Sequence, residues 1–119
     1  MSYSEKIQEV IAGADVALFM KGTPAFVMCG NSDRALQALR RAGASVTAVD
    51  VLPDPAIRQE LTAISGWPTI PQVFVKGELV GGADIVEELE QSGELEVRLR
   101  EKLGDGYAST PDEKTVSLV

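Results

Sequence analysis

Histidine is missing from all 119 residues of the chain. Ser-His-Asp triads, imidazole acid–base chemistry and His-ligated zinc are excluded with it. Cysteine is almost missing as well. Cys29 stands alone, so no internal disulfide closes and no all-cysteine metal site forms within one chain. A lone cysteine with no secretory signal implies a reducing compartment, and we expect a cytoplasmic protein. Basic residues are few: 11 against 18 acidic ones, for a net charge of −7. Wrapping nucleic acid needs clustered Lys and Arg, so no nucleic-acid partner is expected. Long apolar runs are lacking too. Val16 to Met20 and Ala25 to Cys29 are five residues each, against the roughly 20 that a membrane-spanning helix needs. No membrane partner is expected.

The residues present are 45% apolar, enough to bury the core of one domain without a structural metal. Residues 4–12 carry Ile7, Val10 and Ile11 on one helical face, with Ser4 as cap and Gly13 as stop. Val16 to Met20 is continuously apolar, the pattern of a strand covered on both faces. Lys21-Gly22-Thr23-Pro24 breaks it and opens a loop running to Cys29. Ala35, Leu36 and Leu39 mark a helix over about 32–41, and Val46 to Leu52 a second strand. Asp54 and Pro55 open a helix striped by Ile57, Leu61 and Ile64. Two prolines in Trp67-Pro68-Thr69-Ile70-Pro71 force an extended segment. Two strands then flank Gly77-Glu78, and glycine first in a two-residue loop predicts a type II′ hairpin. Helices follow from Asp84 and after Gly93, the second striped by Leu95, Leu99 and Leu103. We expect an α/β fold over residues 1–104, a four-stranded mixed sheet flanked by helices, and a disordered tail over 105–119.

In such sheets ligands gather at the carboxyl ends of the strands. Cys29 follows the first strand and opens a helix, where free backbone N–H groups and the dipole favour thiolate, as does a cation such as Lys21. Asp33 works against it if its carboxylate points toward the sulfur. The alternative is a small buried hydrophobe. Ser32 stands where a Cys-x-x-Cys pair would keep its second sulfur, so any disulfide chemistry needs an external thiol. Ser32 is otherwise a helix cap. Thr69, Ile70 and Pro71 precede a strand, and a cis Ile70–Pro71 bond would present the Ile70 backbone to a peptide-like ligand. Gly82, Ala83 and Asp84 offer N–H groups for a carboxylate and a carboxylate for an ammonium. Lys21 and Arg58 are cations for a second carboxylate. Together these suit a small zwitterionic thiol peptide such as glutathione.

Four blocks in order carry a family resemblance: Phe19-Met20-Lys21-Gly22-Thr23-Pro24, Cys29-Gly30-Asn31-Ser32, Trp67-Pro68-Thr69-Ile70-Pro71-Gln72 and Lys76 to Val86. Over about 4–103 the chain resembles the monothiol glutaredoxins of the single-domain Cys-Gly-Phe-Ser type. The resemblance implies a thioredoxin-like fold and a cis Pro71. It also implies glutathione held by Lys21, Arg58, Thr69, the Ile70 backbone, Gly82, Ala83 and Asp84. In that family two chains and two glutathiones bridge a [2Fe–2S] cluster, so Cys29 is implied as the metal ligand of each chain of a homodimer. Partners implied are BolA-like proteins and apo iron–sulfur proteins. Two departures stand out. Asn31 replaces the signature Phe, trading an apolar shield for a hydrogen-bonding amide, and Val27 replaces a Pro.

Three activities stay open at this level. One is a cluster carrier. Another is an enzyme in which Cys29 reduces glutathione mixed disulfides and a second glutathione resolves the adduct. The third is an interaction module with an idle thiol.

Overall fold

The computed structural model describes residues 1–119. The first helix, α1 (Tyr3–Gly13), is capped by Ser2 rather than Ser4. Ser2 and Glu5 form a reciprocal capping box, with Glu5 N–H donating to Ser2 Oγ at 3.2 Å. The Ser-x-x-Glu spacing carries that signal, and the apolar stripe starting at Ile7 obscures it.

Next come β1 (Val16–Met20) and a small hairpin of β2 (Gly22–Thr23) and β3 (Phe26–Val27), in the segment expected to be loop. Then α2 (Gly30–Arg41), β4 (Val46–Asp50) and α3 (Pro55–Ser65) follow, with Asp54 Oδ1 accepting from Ala56 N–H at 2.9 Å. The remaining elements are β5 (Gln72–Val75), β6 (Glu78–Gly81), α4 (Ala83–Gln91), α5 (Glu94–Leu103) and β7 (Glu113–Val116).

The main sheet has five strands in the order β6-β5-β1-β4-β7. β4 runs parallel to β1, β5 antiparallel to β1, and β6 antiparallel to β5. β1 is central, and its side chains divide between two cores. Val16, Leu18 and Met20 meet Leu36, Leu39, Val86, Leu95 and Leu99 from α2, α4 and α5. Ala17 and Phe19 meet Ile7, Ile11, Ile57 and Leu61 from α1 and α3. A strand covered on both faces has no solvent side, which is why its sequence does not alternate. Helix-flanked on both faces, the sheet has the expected thioredoxin-like organisation. No helix is long and apolar enough to cross a membrane.

Two further expectations are corrected. The β5–β6 turn is centred on Lys76-Gly77, not Gly77-Glu78. Both residues have positive φ, 48° and 83°, which makes it type I′. Val75 pairs with Glu78, which closes the turn on the two residues between them. The second correction is at the carboxyl end, where a disordered tail over 105–119 was expected. Instead β7 adds a fifth strand parallel to β4, pairing Val46 with Glu113 through Val49 with Val116. Arg40 Nη2 donates to Glu113 Oε2 at 2.9 Å, Tyr107 Oη donates to the Ala42 carbonyl at 2.6 Å, and Leu118 is buried. Few apolar residues are needed to hold an edge strand paired on one side, so its composition resembles that of a solvated segment.

Candidate functional site

The site grows from the end of β1. Gly22 has φ +93°, and a Cβ there would stand 2.4 Å from the Phe26 carbonyl oxygen. Only glycine lets the chain turn so tightly against the β3 segment. The turn is fastened to the sheet by Asp50, whose Oδ1 accepts from Gly22 N–H and Leu52 N–H, both at 2.9 Å. It is fastened to α2 by Ser32, which is fully buried and accepts from Lys21 N–H at 3.0 Å. Ser32 is therefore neither the helix cap nor a solvent group. It is a tie between the strand end and the thiol's helix.

Cys29 is the N-cap of α2, in extended conformation and half-buried. Its thiol pKa is lowered, first by the Ser32 backbone N–H, against an opposing push from desolvation. The Asn31 backbone N–H, the Ser32 hydroxyl and the charge of Lys21 lower it further. This is how a helix N-terminus stabilises an anion. Asp33, the group expected to oppose it, instead accepts from Gln37 Nε2 at 3.2 Å along the helix.

The other singled-out residues fall into two hollows. Lys21 and Arg58 share one of about 610 Å³ with Leu52, Pro55, Gln59 and Thr62. Thr69, Ile70, Pro71, Gly82, Ala83 and Asp84 line another of about 410 Å³, together with Asn31, Trp67 and Ile85. Cys29 itself lines neither; Asn31 and Lys21 link its helix and strand to the two. The Ile70–Pro71 bond is cis. Gln72, wholly buried, anchors that segment by donating from Nε2 to the Trp67 and Thr69 carbonyls at 2.9 and 3.3 Å.

Gly82, not Asp84, is the N-cap of α4, and no side chain caps the N–H groups of its first turn. A Cβ at Gly82 would stand 3.2 Å from Trp67 Nε1 and 3.3 Å from the Pro71 carbonyl oxygen. The helix start thus lies directly against the proline segment. A third hollow, about 600 Å³ between α1, β4 and β7, shares no residue with these two.

Against known proteins, the sequence profile of the glutaredoxin family matches residues 16–80. Glutaredoxin 4 of Escherichia coli K12 is 46% identical over 108 residues, covering 91% of this chain and 94% of that protein. The chain belongs to the monothiol glutaredoxins. A rice relative, monothiol glutaredoxin-S11, is 49% identical over 84% of this chain, which spans 20% of that longer protein. Among solved glutaredoxins, a monomeric truncated mutant of Trypanosoma brucei 1-C-Grx1 superposes with a TM-score of 0.77 at 41% identity, covering 86% of this chain and 93% of that one. A buckwheat glutaredoxin–glutathione complex gives a TM-score of 0.72 at 26% identity, covering 83% and 88%.

Within this glutaredoxin, sequence reasoning singled out the thiol and residues that line the two hollows, expected those residues to converge on the sulfur, and missed three others that organise the region. Asp50 reaches Leu52 two residues on and Gly22 across the fold, and Gln72 reaches carbonyls three and five residues back. Arg34, on α2, donates to Glu87, Asp84 and Asn31 at once. No spacing rule links positions 34, 84 and 87.

Proposed function

We propose that this glutaredoxin binds glutathione beside Cys29, and that two such copies carry a [2Fe–2S] cluster between them and deliver it to apo iron–sulfur proteins. The observation that carries the reading is a single thiolate-favouring sulfur at a helix N-terminus, with Lys21 at the end of the preceding strand and Asn31 in the first turn of its helix each lining a hollow. Lys21 and Arg58 suit one peptide carboxylate. The free N–H groups of α4 and the Asp84 carboxylate suit an amino-acid end. Under this reading, as the family resemblance implies, the four thiolates of the cluster are two Cys29 and two glutathiones, one of each per chain of a homodimer. A BolA-like protein is a further partner under this reading, and the cytoplasm, where thiols stay reduced, is its compartment.

Anaerobic reconstitution with iron, sulfide and glutathione tests it, read by absorbance, iron content and mass. The expected product is a coloured dimer holding two irons, absent without glutathione and absent in Cys29→Ser. A colourless monomer overturns the carrier reading.

Asn31, exposed and polar, favours a second reading: thiol exchange on glutathionylated proteins. There the Cys29 thiolate attacks the glutathione sulfur of a mixed disulfide, and the substrate leaves as thiolate. A second glutathione thiolate then attacks the adduct, giving glutathione disulfide and restoring Cys29. Steady turnover of a glutathionylated substrate by the colourless monomer identifies it.

A further inference from the structure

Two residues that line the 410 Å³ groove, Asn31 and Asp84, are held by one guanidinium behind them. Arg34 leaves α2 toward α4 and makes a forked pair with Glu87, Nη2 to Oε1 at 2.8 Å and Nε to Oε2 at 3.3 Å. The same Nη2 reaches Asp84 Oδ1 at 2.9 Å, and Nη1 donates to Asn31 Oδ1 at 3.2 Å. The fork is planar and rigid, so fixing it on Glu87 fixes what it shows to the other two groups.

Two consequences follow for the groove. Asn31 spends its carbonyl on Arg34, which leaves its amide donors for whatever lies in the groove. Asp84 spends one oxygen on Arg34 and keeps Oδ2, on a side chain 84% exposed. The groove wall therefore presents donors and an acceptor side by side, next to the open N-terminus of α4. The neighbouring guanidinium also weakens the pull of Asp84 on a bare cation. A ligand end bringing a carboxylate together with an ammonium meets both the donors and Asp84 Oδ2, whereas an ammonium alone meets an Asp84 already shared with Arg34 and leaves the donors unused.

We propose that Arg34 is the specificity-determining residue of this groove, orienting Asn31 and tempering Asp84 so that the groove selects an α-amino-acid end over a simple amine. The inference rests on the glutathione reading above and adds the means of selection.

The test is calorimetric titration with S-methylglutathione and two analogues, one lacking the glutamyl α-carboxylate and one lacking the α-amine. The wild type is expected to prefer the full ligand over the carboxylate-free analogue by at least about tenfold, the scale of one charge-assisted hydrogen bond. In Arg34→Ala that preference is expected to fall to about threefold or less, with Arg34→Lys, a cation without the fork, lying between. The pairs broken are partly exposed, so both variants are expected to unfold within a few degrees of the wild type. Undiminished preference in Arg34→Ala overturns the inference while leaving glutathione binding in place. No binding of S-methylglutathione by the wild type overturns both together.

Discussion

At the scale of single residues the thiol's environment is mostly backbone. Cys29 is held below the ordinary thiol range chiefly by the Ser32 N–H, which no side-chain substitution removes. Ser32→Ala takes away the hydroxyl near the sulfur and leaves the Lys21 N–H without its partner. We expect the thiol pKa to rise only part of the way back, and stability to fall by about 1–3 kcal/mol for the orphaned donor. The pH profile of iodoacetamide alkylation checks the first and urea unfolding the second. The sign of the linked pH effect is fixed. Because the folded-state thiol pKa is depressed, its stabilising contribution is complete above the unfolded value and is lost as pH falls through the folded one. Cys29→Ser should show no such rise in stability on the alkaline side. What was legible here was local: the thiol before a helix, the serine three residues on, the proline segment. Arg34 and Asp50 were illegible because they reach Glu87, Asp84 and Gly22 across distances that only the fold closes, and Gln72 because no spacing rule assigns a strand residue's amide to the carbonyls just before it.

Secondary-structure elements show a different division. α3 was readable from Asp54-Pro55 because capping chemistry is written in adjacent residues. The β5–β6 turn was misplaced by one residue because the rule that assigns positive φ to glycine does not anticipate Lys76 at 48°. Tertiary pairing overrode that local preference. β7 was missed because a one-sided edge strand needs little hydrophobicity: Glu113 is satisfied by Arg40, and only Val116 and Leu118 reach the core. Its contribution is nonetheless structural. Leu118→Ala is expected to cost about 2 kcal/mol, the low end for a buried leucine because the chain end can relax. Deleting 105–119 should cost more, since the Tyr107 and Glu113 contacts go as well. In the deleted form the Val46 amide, now donating to the Asp112 carbonyl at 2.9 Å, should lose its protection in hydrogen exchange. A Val46 amide that stays protected would show that the β4 edge is closed by something other than β7.

Over the whole molecule, charge and the missing residue types set the behaviour. Two copies of a chain with net charge −7 repel each other when they meet. Screening length falls to about 10 Å at 0.1 M salt. The proposed cluster-bridged dimer should therefore tighten, not loosen, as salt rises from about 10 to 100 mM, measured by sedimentation of the reconstituted protein. Weakening over that range would show that attraction between oppositely charged patches outweighs the net charge. The fold class was legible at this scale because the order of elements survives small errors in their ends; the fifth strand was the exception. One further consequence follows from the indole against the proline segment. Trp67 is the only tryptophan in the chain, and it lines the groove while its Nε1 is buried without a hydrogen-bond partner. All the indole fluorescence of the protein therefore comes from the wall of its candidate binding site, and the molecule carries its own optical reporter of what occupies the groove.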